Sequence, residues 1–152
     1  MSRSWDWPRP AVLPHTVIVD FAVALLLTSV ACEVLAQLAE EDEFRVVATW
    51  TLVFGAGAAA LSAISGYAAY DAAAPTGAAE ALVLNHRNAG LVTLTAFAPA
   101  AVWRLIAGGR VPERNAGLYW LLIAVGTVSV VVTAYLGGSA VFRHGVGVIL
   151  DG

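Results

Sequence analysis

The 152-residue sequence predicts an all-α membrane protein, a four-transmembrane-helix up-down bundle with both termini on the same side. Three observations predict it. Apolar residues make up 59% and charged residues 12%, about half the roughly 25% charge of a soluble domain. Residues 46–70 and 115–142 contain no charged side chain, and either run exceeds the roughly 20 residues that cross a bilayer. Two further apolar stretches, 16–37 and 88–103, are broken only by Asp20 and Glu33 in the first and closed by Arg104 after the second.

The four helices are expected at about 16–37, 45–70, 87–107 and 116–137, within one integral membrane domain spanning 1–152. In the first, Arg3 and Arg9 precede an apolar run and Ser29-Val30-Ala31-Cys32 loosely resembles a lipoprotein cleavage site. Asp20 interrupts that run, so the segment is read as a retained helix. Glu33 is expected to snorkel to the interface and Cys32 to pack as a small apolar residue. The second helix carries small residues at spacing four, Ala58, Ser62 and Gly66 beside Gly55, Ala59 and Ala63, a ridge that lets backbones approach. The third contains Pro99, which removes one backbone donor, and ends on Arg104, expected to reach a headgroup. The fourth is expected to stop at Gly137-Gly138, with the glycine-rich tail through Val148 folding back over the bundle mouth. Intramembrane Ser and Thr are expected to bond their own helix carbonyls. The connection 71–86 is expected to be long, the other two short.

With side X defined as the side of the N-terminus, Trp50, Trp103, Tyr119 and Trp120 fall near side Y, and Trp5, Trp7, Tyr67, Tyr70 and Tyr135 near X, two interfacial aromatic belts. Arg3, Arg9, Arg87 and Arg143 lie at X and Arg45, Arg104, Arg110 and Arg114 at Y, a tie that assigns neither side to the cytoplasm.

All three histidines, His15, His86 and His144, fall at X together with Asp20 and Asp71. An ionisable group inside a span faces the bundle or water, and Asp20 is the clearest case. Imidazoles and carboxylates are ligands for a transition metal, giving His15, Asp20, Asp71, His86 and His144 as candidate metal ligands. Two imidazoles also ligate haem, so His15, His86 and His144, with Arg143 for a propionate, are the candidate haem b residues. The competing reading is that these side chains cap helix ends and sit in a wet interface.

The sequence resembles the DUF2231 family of small predicted bacterial membrane proteins with four helices. Residues 15–25, HTVIVDFAVAL, are similar to a His-Pro-x-x-Val-His-Phe-Pro-like opening; Gly66 to Asp71 followed by His86 and Asn88 resembles the middle block; Gly137 to Val148 matches the glycine-rich closing block. Thr16 replaces the family proline, and Asp20 stands where relatives tend to have a second histidine. The resemblance implies the four-helix membrane fold and a bacterial inner (cytoplasmic) membrane, and it names no activity.

Two functions follow. The first is a membrane protein binding haem b or a metal ion at X and serving electron transfer, with quinone or other membrane-complex subunits as partners. The second is a non-catalytic accessory subunit of a larger membrane complex, docking through the small residues of the second helix and the glycine-rich tail. A transporter using Asp20 is a third, weaker reading. Little of the chain lies outside the bilayer, so no separate enzyme site is expected, and a net charge of −3 excludes a nucleic-acid surface.

Overall fold

The computed structural model describes residues 12–148, which form four α-helices and, within that range, no strand. They are α1 (Val12–Ala39), α2 (Asp42–Ala73), α3 (Ala78–Ile106) and α4 (Ala116–His144). Each is long and apolar enough to cross a membrane. The reason is compositional: leucine, valine and alanine fill every turn, so each helix satisfies its own backbone in a solvent that offers no hydrogen bonds.

The helices form a ring in which α1 packs on α2, α2 on α3, α3 on α4 and α4, most lightly, on α1. Thus α1 and α3 are diagonal across the bundle axis, as are α2 and α4. Val12, the α2–α3 turn and Gly145–Val148 gather at one end, the X end. The expected tail fold-back is present among these residues, with Gly147 against Val12.

The boundaries correct the sequence reading at three places. Helix α3 begins at Ala78, nine positions before 87, because the alanine-rich stretch after Gly77 is itself helical. The expected long connection therefore shrinks to residues 74–77, closed by Ala74 in the left-handed region. Helix α4 runs through Gly137 and Gly138 to His144 and stops at Gly145, whose φ of 63° lets its N–H bond the Val141 carbonyl while Val146 bonds Ala140. Helix α3 continues unbroken through Pro99.

The core is a thin column of Ala22, Leu26, Leu52, Phe97, Ile123 and Val130. Glycines set the helix spacing. A Cβ on Gly55 would stand 2.8 Å from the Leu26 side chain, and one on Gly126 would stand 2.7 Å from the Phe97 ring. The small-residue ridge of α2 is thus spent on α1 within the chain, with Ala59 buried and Gly66 against His15. Around this column the outer surface is almost continuously apolar, with Phe21, Phe54, Ile64, Val102, Leu121 and Val128 exposed. Such a surface is a lipid-facing one, far beyond the apolar patches a soluble monomer shows.

Candidate functional site

Two histidines meet at the X end. His15 lies in the first turn of α1 and His86 in the third turn of α3, inside the helix rather than opening it as the sequence reading had it. Their rings reach across the diagonal, with centroids 6.5 Å apart and planes at 89°.

Each ring is steered by its Nδ1. His86 Nδ1 lies 2.9 Å from the Thr133 carbonyl, which can only accept, so this nitrogen carries the proton. His15 Nδ1 lies 3.0 Å from Ser65 Oγ, a contact in which either atom can donate, and the ring also hydrogen-bonds the Ser62 backbone. In the neutral form His86 then carries its free lone pair on Nε2. Two glycines give the rings room. A Cβ on Gly66 would stand 3.2 Å from His15 Cε1, and one on Gly137 would stand 2.9 Å from His86 Cε1. Ser62 Oγ, one turn before Gly66, is buried without a hydrogen-bond partner.

Hydroxyls between α3 and α4 brace His86. Thr133 Oγ1 donates to Ser129 O and lies 3.5 Å from Thr93 Oγ1, while Ser129 Oγ donates across to Ala89 O at 2.7 Å. The expectation that Ser and Thr bond their own helix holds for Thr127 and Thr133 and fails for Ser29, which donates to Ala48 O, and for Ser129.

The other candidates lie apart from this pair. His144 is exposed on the last turn of α4 and lines a groove of about 540 Å³ with Val12, Pro75, Ala78 and Gly147. Arg143 is exposed and stacks its guanidinium 5.9 Å over the Tyr135 ring. Asp71 is exposed, and Asp20 is exposed on α1's outer face, so it does not turn into the bundle as expected. Among the described residues no group of three or more His, Cys, Asp and Glu could hold a metal ion, so the five-residue metal set is not assembled.

A second polar centre, at the Y end, was missed. Arg104 is 0% exposed and ion-paired through Nη1 to Glu33 Oε2. Its Nη1 also donates to Tyr119 Oη at 3.2 Å, and its Nε to the Gly109 carbonyl at 2.9 Å and Thr49 Oγ1 at 3.2 Å. Gln37 donates to the remaining Glu33 oxygen. Neither Glu33 nor Arg104 snorkels, because each finds its counter-charge on the diagonal helix before it finds water. Opposite charges within the last two turns at the Y ends of two spans were the available signal. Cys32 is half-buried.

The DUF2231 family, described as predicted membrane proteins, matches residues 13–149. The chain belongs to the DUF2231 family. The match covers both histidines of the pair, the Glu33–Arg104 centre and the tail, so these features sit inside the DUF2231 domain rather than on an appendage. No curated protein and no solved structure gives a match.

Proposed function

We propose that this integral membrane protein holds a haem b or single metal ion between His15 and His86 and passes electrons through it. One observation carries the reading: two imidazoles from diagonal helices meet at the bundle axis with centroids 6.5 Å apart, each oriented by an Nδ1 hydrogen bond. A metal–imidazole bond of about 2.0 Å sets an ion about 3 Å from a ring centre, so two rings sharing one ion stand about 6 Å apart. An Nδ1–H bonded to a backbone carbonyl, as in His86, is the arrangement that fixes a ligating histidine's orientation and raises its basicity. Gly66 and Gly137 support the same reading by leaving the ring edges uncrowded. His144 and Arg143, exposed at the X mouth, would meet propionates or a redox partner rather than the iron. Membrane quinone or a neighbouring subunit would be that partner, in a bacterial inner membrane.

The test is the absorption spectrum of detergent-purified protein, oxidised and after dithionite, with parallel metal analysis. A Soret band and a sharp reduced α-band, lost in His86→Ala while the variant still inserts, is the expected result. Protein made with haem available that shows neither these bands nor one metal per chain overturns the reading.

An accessory-subunit role is favoured by a different observation. Ala24, Thr28 and Ala31 form an exposed strip of small residues on the outer face of α1, where another helix could approach closely. This replaces the α2 ridge as the docking surface, since that ridge is occupied by α1.

A further inference from the structure

The helices are longer than a bilayer is thick. They contain 28, 32, 29 and 29 residues, and at about 1.5 Å per residue each extends roughly 42–48 Å against a hydrocarbon layer of about 30 Å. Some 12 Å or more of every helix must stand outside the hydrocarbon, and the side chains say at which end.

At Y the polar residues begin at the helix ends themselves. Asp42 and Glu43 occupy the first turn of α2, and Arg110, Glu113 and Arg114 lie in the connection before α4. At X exposed polar side chains occupy the ends, as Asp71, Arg143 and His144 do, and others reach one to three turns further in. Asp20 is in the third turn of α1, Asn85, Arg87 and Asn88 are in the second to third turns of α3, and Tyr67 and Tyr135 precede the ends of α2 and α4 by more than a turn. Arg87 stacks 6.0 Å over the Tyr67 ring, and Arg143 stacks over Tyr135. Those are cation–aromatic pairs of the kind that sit among lipid phosphates.

We propose that the bilayer is seated off-centre, with its X surface at the level of Asp20, Tyr67, Asn88 and Tyr135. The stretches left are 21–39 in α1, 46–66 in α2, 89–106 in α3 and 116–134 in α4, whose charged side chains, Glu33 and Arg104, are buried and paired with each other. Each stretch is close to the 20 residues that a hydrocarbon layer requires, and four helices reach that length independently. A seat centred on the helix midpoints instead drags Asp20, Asn85, Arg87 and Asn88 into lipid on outward faces, which is costly for every charge among them. The two turns of each helix beyond this level form a collar in the headgroup and aqueous layer. It carries His15, the 540 Å³ groove and His144. Asp20 is then a headgroup-level carboxylate and needs no partner. The surface this collar presents is a phospholipid one, with Arg87 and Arg143 as its phosphate contacts.

Nitroxide labels test the seat. They are placed at Leu121→Cys, Val125→Cys, Val128→Cys and Val132→Cys along the exposed face of α4, in a Cys32→Ser background and in neutral phospholipid bicelles. The ratio of oxygen to nickel-chelate accessibility measures depth. The off-centre seat puts the deepest point at Val125. A centred seat puts it about five residues, roughly 7–8 Å, nearer X. A maximum at Val128 or Val132 overturns the proposal. A second reading uses Thr76→Cys and Ala81→Cys with a membrane-impermeant maleimide in the same bicelles. Both are expected to label as fast as a free thiol, and shielding of Ala81→Cys to the level of Ala24→Cys also overturns it.

Discussion

A guanidinium has five N–H donors, and Arg104 spends three of them, on Thr49, Gly109, Glu33 and Tyr119, in a setting where no water reaches it. Its Nη2 is buried with no partner. A fully enclosed ion pair of this kind is held in place by what happens when half of it is lost. Removing one partner leaves an uncompensated charge, at a cost of about 3–5 kcal/mol, whereas replacing both by apolar residues is often near neutral. Arg104→Leu is therefore expected to lower the free energy of unfolding, read from a mixed-detergent titration, by that order, and the double variant Glu33→Leu with Arg104→Leu to recover most of the loss. Equal losses in the single and double variants would mean that the pair's packing volume matters and its charge does not. The His15–His86 pair obeys a different rule, because its orientation depends on space. Gly137→Ala sets a methyl group 2.9 Å from His86 Cε1 and 3.0 Å from its Nδ1, so the ring must swing off the Thr133 carbonyl. The imidazole Nδ1–H of His86, followed by nitrogen-15 NMR, is expected to lose its hydrogen-bonded shift in that variant.

At the scale of the helix, close approach is written in glycine rather than in leucine. Gly126 admits the Phe97 ring and Gly55 admits Leu26, so in the core of the α3–α4 and α1–α2 pairs close approach needs an absent Cβ. Gly126→Ala is expected to destabilise the bundle by about 1–3 kcal/mol through overpacking. Phe97→Leu, added to it, should restore part of that stability, and failure to do so would show that the strain is relieved elsewhere. These contacts also explain what could be read in advance. Apolar runs of membrane length fix how many helices there are and roughly where, since the bilayer sets that length and no tertiary contact alters it. Gly137 was misread as a terminator because a glycine that ends a helix and one that makes room for a ring are the same letter. The start of α3 was missed because alanine, proline and glycine after Asp71 suggest a loop, while six of the seven residues from Ala78 to Leu84 are the strong helix formers alanine, glutamate and leucine. His15 and His86 were legible as residues of one end. That they meet each other, while His144 stands apart, depends on the ring order of the helices, and no single-helix pattern encodes that order. The same holds for Glu33 and Arg104, separated by 71 positions.

Across the whole molecule the polar groups form two separate clusters. The X cluster holds His15, His86, Ser62, Ser65, Thr93, Ser129 and Thr133; the Y cluster holds Glu33, Thr49, Arg104 and Tyr119. Between them lie Leu26, Leu52, Phe97, Ala100 and Ile123, each 5% exposed or less. From Thr93 to Arg104 along α3, and from Tyr119 to Ser129 along α4, this dry layer is roughly 15 Å of helix at about 1.5 Å per residue. A proton or ion crossing it would have to leave every hydrogen-bonding partner behind, and in a medium of such low polarity even one unpaired charge is prohibitive. Asp20, the one carboxylate that suggested transport, faces outward and joins neither cluster. The bundle is thus two half-sites on a common insulating core, and its chemistry belongs to its X and Y faces separately. In proteoliposomes loaded with a pH dye, a potassium gradient with valinomycin is expected to drive no more proton entry than in protein-free liposomes, at any pH from 5 to 8. Leu26→Asp, which places a carboxylate in the middle of the dry layer, is the sensitising control. If the unsubstituted protein conducts above the lipid background, the apolar layer must open, and the reading of X and Y as separate sites falls with it.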